Sequence, residues 1–312
     1  MSHPSGTVLV ADIGGTNTRV ARARAGVVDP GSLCRYRNAD FPGLAQVLVH
    51  HLQVTQAPTP EAICVALAGP VQNGAGQMTN LNWQISEGDL IAATGAPRAR
   101  ILNDLQAQGY ALPHLPAASF APLSGPAPQG DSRLVVGIGT GFNIAPVRAV
   151  DGQTLVFAAE AGQTALPTPT EADRALADRL ADDTGFTALE QAISGPGLTA
   201  LHHALTGTTL SGAQILAAHA DGTDPAAQAS VDTFLRLLGL TLSDLALCFL
   251  PHGGVYLCGG MSRAISPYLD SPAFRDAFLS KGRFSGLMTR FPLIQITDDY
   301  AALTGCAQYI AG

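Results

Sequence analysis

Short runs of aliphatic and β-branched residues alternate along the chain with longer stretches in which apolar residues recur every three or four positions. The short runs predict strands over residues 7–11, 19–24, 62–68, 100–103, 134–138, 143–148, 255–258 and 293–297. The longer stretches predict helices over 44–54, 105–112, 171–184, 198–205, 212–220, 226–250, 273–281 and 300–310. Strands that alternate with helices in this way predict an α/β protein. Residues 113–131, rich in proline, alanine, serine and glycine, read as a loop after a first lobe.

A weak internal echo supports two lobes. Val-Leu-Val-Ala-Asp-Ile-Gly-Gly-Thr-Asn at 8–17 is followed, far along the chain, by Leu-Val-Val-Gly-Ile-Gly-Thr-Gly-Phe-Asn at 134–143. Each reads as strand, glycine loop, strand. Two such units suggest related lobes facing across a cleft, each offering a loop to one phosphate chain. Chance similarity between two glycine hairpins is the plainer alternative.

The first loop carries the sharpest chemistry. Gly14 and Gly15 can adopt backbone angles closed to other residues and let a ligand approach the main chain. The amides of Gly15 and Thr16, with the Thr16 hydroxyl, can face an anion, and Asn17 completes the segment. Asp12 at the mouth of such a loop makes sense if magnesium or its waters lie between it and a nucleotide phosphate. An ordinary two-residue hairpin turn is the competing reading. In the second loop, Gly139, Thr140 and Gly141 form a nest of amides with one hydroxyl, suited to terminal phosphates. Asn143 tolerates a positive φ if that loop needs one. A third glycine turn, Leu257-Cys258-Gly259-Gly260-Met261, offers flat backbone at Gly259 and Gly260 over which adenosine can lie, or is simply a strand-to-helix turn.

Polar groups of a second kind lie elsewhere. A short strand ends in Asn103-Asp104 and a helix follows, the place where functional groups gather in open α/β sheets. Either residue can be the helix N-cap. Alternatively Asp104 is a general base accepting the proton of a substrate hydroxyl as it attacks phosphorus, with Asn103 holding another hydroxyl. Glu160 lies in a small-residue turn, and Glu190 precedes a Ser-Gly-Pro-Gly helix entry. Each alone reads as a solvated charge. Paired across a cleft they would accept hydrogen bonds from sugar hydroxyls, with Gln163 supplying a donor and an acceptor.

Composition narrows the classes. The 312 residues are 46% hydrophobic and 13% charged, enough for two cores and too apolar for disorder. A net charge of −7 without a basic cluster argues against nucleic acid as a partner. Residues 1–6 are polar and no apolar run suits a membrane span, since 235–250 carries Arg236, Ser243 and Asp244; no membrane partner and a cytoplasmic location are expected. Cys34, Cys64, Cys248, Cys258 and Cys306 are scattered and read as free buried thiols. The pairs His50-His51 and His202-His203 read as surface or packing residues, because adjacent helical side chains point apart.

In their order and spacing these segments resemble the bacterial ATP-dependent glucokinase family, within the actin-like sugar kinases, over essentially the whole chain. The resemblance rests on Asp12-Ile13-Gly14-Gly15-Thr16-Asn17, Asn103-Asp104-Leu105-Gln106-Ala107, Ser194 to Leu198, Lys281 to Phe284, Met78-Thr79-Asn80, Trp83 and the final helix from Tyr300. It implies two actin-like (ribonuclease H-like) α/β lobes around an interdomain cleft. The small lobe would span 1–112 and be completed by 299–312; the large lobe would span 113–298. It further implies transfer of the γ-phosphate of ATP, with Mg2+, to the 6-hydroxyl of glucose in glycolysis, usually by a homodimer. Asp104 would be the base, and Asn103, Glu160 and Glu190 would hold sugar hydroxyls. Two positions depart from the family pattern. Gln163 replaces its sugar-binding histidine, and the second loop continues Phe142-Asn143 where the family has Leu-Gly, which is expected to narrow the loop. The glutamine leaves open a kinase for mannose, fructose or an amino sugar. A sugar-responsive binding protein without catalysis is the third reading, disfavoured by the intact Asp104.

Overall fold

The computed structural model describes residues 6–78 and 81–312. The expectations placed on residues 1–5 and on Thr79 and Asn80 lie outside these. The chain divides into two compact units, residues 1–117 with 298–312, and residues 118–297.

In the first unit β1 (Thr7–Ile13) turns back into β2 (Asn17–Arg24), followed by β3 (Val27–Val28) and β4 (Cys34–Arg37). Helix α1 (Leu44–Val54) leads to β5 (Ala62–Leu67). A small antiparallel sheet follows, made of β6 (Val71–Gln72), β7 (Ala75–Gln77) and β8 (Gln84–Ser86). Then come α2 (Glu87–Thr94), β9 (Ala99–Asn103) and α3 (Asp104–Ala111). The main sheet has the order β3-β2-β1-β5-β9, with β4 also on β2. The β1–β2 pair is antiparallel, whereas β1–β5 and β5–β9 are parallel.

The period of two along a strand divides the core of this unit into two layers. Leu9, Ala11, Ile13, Ile63, Val65 and Leu67 face one way and pack with Leu44, Val47 and Leu48 of α1 and Leu90 of α2. Val8, Val10, Ala62, Cys64 and Ala66 face the other way. Every residue of β5 is therefore buried, as in sheets covered on both faces.

In the second unit β10 (Phe120–Ser124), β11 (Ser132–Ile138), β12 (Phe142–Val150) and β13 (Gln153–Val156) precede a helical stretch. This comprises α4 (Glu171–Leu180), α5 (Gly195–Thr206), α6 (Gly212–Asp221) and α7 (Pro225–Phe249). β14 (Val255–Cys258), α8 (Gly260–Ile265), α9 (Pro272–Leu279), α10 (Ser285–Met288) and β15 (Leu293–Ile296) complete it. The sheet order is β10-β15-β14-β11-β12-β13. Leu134, Val136 and Ile138 of β11 share a core with Phe234, Leu235, Leu238 and Leu242 of α7. The final helix, α11 (Ala301–Ala311), belongs to the first unit and packs Ala302, Leu303, Cys306, Ala307 and Ile310 on the second face of its sheet. Helices α11 and α3 meet backbone to backbone, since a Cβ on Gly305 would lie only 1.7 Å from the Ala107 carbonyl oxygen.

The two echoing segments fold alike, each as an antiparallel hairpin whose first strand runs parallel to the next strand of its sheet. Several expectations need correction. Residues 113–131 are not one loop, because 120–124 form β10, an edge strand paired to β15 alone. Pro122 is tolerated there as edge position and register shift allow. Helix α4 stops at Leu180 rather than 184, because the Asp182 carboxylate accepts the backbone N–H groups of Thr184 and Phe186 and closes a turn. Among the cysteines, Cys248 is exposed and Cys34 half-buried; Cys64, Cys258 and Cys306 are buried, and all five are thiols rather than disulfides. His51 and His202 are buried while His50 and His203 are exposed, as adjacent helical positions dictate. No helix among the described residues is long and apolar enough to cross a membrane.

Candidate active site

The first phosphate-loop candidate is the β1–β2 turn. Gly14 N–H donates to the Asn17 carbonyl at 3.0 Å, and Gly15 and Thr16 are exposed at the tip. Gly14 does not use a positive φ, contrary to the expectation from its composition. What its missing side chain leaves is space, since a Cβ there would meet nothing closer than 3.5 Å.

The loop is braced by Asn38, which sequence reasoning missed. Its side chain is buried, donating through Nδ2 to the Gly14 carbonyl at 2.8 Å and accepting from the Thr18 hydroxyl at 2.8 Å. Its N–H donates to the Thr16 carbonyl at 2.9 Å. Nothing local in the sequence marks a residue that acts across such a separation.

Asp12 stands opposite Arg19 in the hairpin register, and Arg19 Nη1 donates to Asp12 Oδ2 at 3.1 Å. Burial raises the pKa of Asp12, and the Arg19 charge and hydrogen bond partly offset this. No group of three or more His, Cys, Asp or Glu that could hold a metal exists among the described residues. This donor set fits a magnesium ion that keeps water and phosphate as most of its ligands, with Asp12 the side chain beside it. It does not fit an all-protein cage.

Asn103 ends β9 and Asp104 begins α3, so the strand-to-helix junction expected from sequence is present. The helix-capping reading of Asn103 is realised. Its Oδ1 accepts from Leu105 N–H at 2.9 Å, Gln106 Oε1 accepts from Asn103 N–H at 3.2 Å, and Asn103 Nδ2 donates to the Gly69 carbonyl at 3.1 Å. Asp104 Oδ1 also accepts from Leu105 N–H at 2.9 Å. These bonds fix both side chains where the parallel strand ends.

In the second unit the β11–β12 loop is closed by Gly139 N–H donating to the Gly141 carbonyl at 2.9 Å, and Gly195 N–H at the start of α5 donates to the Gly139 carbonyl at 2.7 Å. Thr140 is exposed at its tip. A Cβ on Gly139 would meet nothing within 4 Å, so neither packing nor backbone angle demands glycine there. Open backbone of this kind suits close approach of phosphate. Gly260 is equally open. Gly259 differs: its φ is +100° and a Cβ would lie 2.4 Å from the Ile138 carbonyl, so contact within the protein accounts for that glycine.

Three of the candidates for sugar binding, Glu160, Gln163 and Glu190, come together around β12. Glu160 and Gln163 flank a short turn at 160–163, and Glu190 sits in the turn Leu189–Gln191. Gln163 Nε2 donates to Glu190 Oε1 at 2.7 Å, and Phe142 N–H points at Glu190 Oε2 at 3.4 Å. Asn143 Nδ2 donates to Glu160 Oε2 at 3.3 Å. Burial raises the pKa of Glu160 and the neighbouring Glu190 charge raises it further, which places the two carboxylates in one field. Asn143 neither takes a positive φ nor belongs to the loop; it lies in β12 opposite Gly137, correcting the expectation that it narrows the phosphate turn.

The arrangement offers open main-chain loops for phosphate and an acceptor-rich cluster for hydroxyl groups. The protein-family model described as Glucokinase matches residues 9–312. A protein from Caulobacter vibrioides named glucokinase is 34% identical, covering 98% of this chain and 96% of its own. One from Stenotrophomonas maltophilia with the same name is 32% identical, covering 100% of this chain and 97% of its own. The crystal structure of a glucokinase from an Antarctic psychrotroph superimposes with a TM-score of 0.83 at 29% identity, covering 97% of this chain and 98% of that one. These matches agree with the actin-like α/β fold expected from the sequence.

Proposed function

The chain belongs to the glucokinase family of ATP-dependent sugar kinases, and from that premise we propose that it moves the γ-phosphate of ATP to the 6-hydroxyl of glucose. The observation that carries the sugar half of this reading is the cluster of Glu160, Gln163 and Glu190, two carboxylates and a carboxamide gathered on adjacent turns. Carboxylates accept from vicinal hydroxyls, and an amide supplies the complementary donor and acceptor. Asn103 spends one amide hydrogen on the Gly69 carbonyl and keeps a second for a sugar hydroxyl.

The transition state of phosphoryl transfer is loose, so alignment and charge stabilisation are the main tasks of the protein. The amides of Gly15 and Thr16, with the Thr16 hydroxyl, and the amides of Thr140 and Gly141 donate to phosphate oxygens, since those of Gly14 and Gly139 are spent on closing their own loops, and the backbone at Gly259 and Gly260 underlies adenosine. Asp104 accepts the proton of the attacking hydroxyl. Asp12 would stand beside the magnesium bound with the nucleotide, and that ion would neutralise phosphate charge. A homodimer, a cytoplasmic location and a place in glycolysis are parts of the same proposal, the first and the last resting on the family alone.

ADP release, followed with glucose, mannose, fructose and glucosamine as acceptors, tests the reading. Glucose is expected to be the preferred acceptor. A preference for another hexose overturns the assignment of glucose, and no sugar-dependent ADP release from any of them overturns the kinase.

A further inference from the structure

We propose that Asn143 is a positioning residue of the sugar site, holding the carboxylate of Glu160 and the turn that carries it against the first residues of β12. The inference rests on the reading of Glu160 as a sugar ligand and extends it to a residue outside that set.

Three hydrogen bonds carry it. Asn143 Nδ2 donates to Glu160 Oε2 at 3.3 Å, Asn143 Oδ1 accepts from Ala161 N–H at 3.0 Å, and the same oxygen accepts from Ile144 N–H at 2.8 Å. The Ile144 bond fixes the carboxamide rotamer on its own strand. The other two bonds then use that fixed group to hold the next segment, one by backbone and one by side chain. The turn is pressed closely on the same strand, because a Cβ on Gly162 would lie 2.0 Å from the Phe142 carbonyl oxygen and 3.1 Å from Glu190 Oε2.

Glu190 is held by a parallel arrangement, Oε1 by Gln163 and Oε2 by Phe142 N–H. Two consecutive residues of β12 thus orient the two carboxylates. Burial and a neighbouring like charge act against Glu160 in its ionised form, and a donor aimed at Oε2 counters both. An ionised, oriented carboxylate is the stronger acceptor for a sugar hydroxyl.

Asn143→Asp and Asn143→Ala, made in the full chain, test the assignment. Asn143→Asp is nearly isosteric and keeps an oxygen for Ala161 and Ile144, so the turn stays tied while the donor to Glu160 is lost and a like charge faces it. Its sugar KM is expected to rise tenfold or more, with kcat within about threefold and the ATP KM within about twofold; the loss of one hydrogen bond corresponds to about tenfold. Asn143→Ala removes all three bonds and is expected to raise the sugar KM by about tenfold. A purely structural role would instead move the melting temperature and both KM values together. A sugar KM unchanged in Asn143→Asp, or a rise matched in the ATP KM, overturns the inference. The heat of glucose binding to the unaltered protein separates this outcome from failure of the site itself, for a protein that binds no hexose has no sugar site to position.

Discussion

Gln163 donates from Nε2 to Oε1 of Glu190 at 2.7 Å. A glutamine at this place keeps one oxygen and one amide hydrogen for a ligand while it orients the neighbouring carboxylate. It cannot change charge between pH 5 and 8, as a histidine can. Gln163→Ala is expected to weaken sugar binding about tenfold, the equivalent of one hydrogen bond, while kcat stays within a few-fold. Steady-state kinetics with varied sugar reads this directly, and an unchanged sugar KM would remove Gln163 from the site.

Replacing Asp104, the proposed base, separates chemistry from binding. Replacement by Asn keeps shape and leaves an oxygen for the Leu105 N–H that Asp104 Oδ1 now accepts. Asp104→Asn is therefore expected to fold, to bind sugar nearly as before, and to lose about 10²–10⁴-fold in turnover. Near-normal turnover in this variant would exclude Asp104 as the base.

How far the sequence shows this site depends on whether each signal is local. The strands β1, β5, β11, β14 and β15 were legible because dense apolar runs must be buried. β4 (Cys34–Arg37) was not, because Arg35 and Arg37 alternate with half-buried positions and leave no apolar face of the usual kind. α2 (Glu87–Thr94) was hidden by its polar opening Glu-Gly-Asp, although Ser86 caps it by accepting from Asp89 N–H. The two glycine loops announce themselves through glycine spacing. The groups that brace the site do not. Asn38 and Asn143 act on residues 24 and 17 positions away, and a lone asparagine carries no periodicity. The sequence marks Asn143 only as a residue that tolerates a positive φ and as a departure from the family pattern that would narrow the loop. Its actual bonds depend on the fold bringing the Glu160 turn to β12.

The glycines of the second unit divide into those the fold needs and those it does not. Gly259 has a φ of +100° and a Cβ there would overlap the Ile138 carbonyl. Gly259→Ala is expected to cost about 1–3 kcal/mol and to lower Tm by several degrees. Gly139 has no such constraint, and Gly139→Ala is expected to change stability by less than about 0.5 kcal/mol. If phosphate lies on that backbone, the added methyl should still raise the ATP KM by roughly tenfold, about 1.4 kcal/mol. Thermal melts beside ATP titrations check both halves. A Gly139→Ala protein with unaltered ATP affinity would count against the loop as a phosphate cradle.

His51 gives the fold a pH dependence of its own. The ring is wholly buried on α1, with the Tyr36 hydroxyl 2.9 Å from Nδ1 and Nε2 without a partner among the described residues. Burial, and then the positive charges of Arg22 and His50, lower its pKa from 6.5 to about 4. Between these values the unfolded chain binds a proton that the folded chain refuses. Stability from the neutral ring is thus fully present above pH 6.5 and falls as the pH drops toward 4, by at most about 1.4 kcal/mol per pH unit. Above pH 6.5 this group contributes no slope. His51→Gln keeps a polar side chain but cannot titrate. Urea unfolding midpoints measured from pH 7.5 down to 4.5 should decline more steeply for the unaltered protein than for His51→Gln, with the difference confined to the acidic side. Parallel curves for the two proteins would show that His51 is protonated as readily in the folded chain as in the unfolded one.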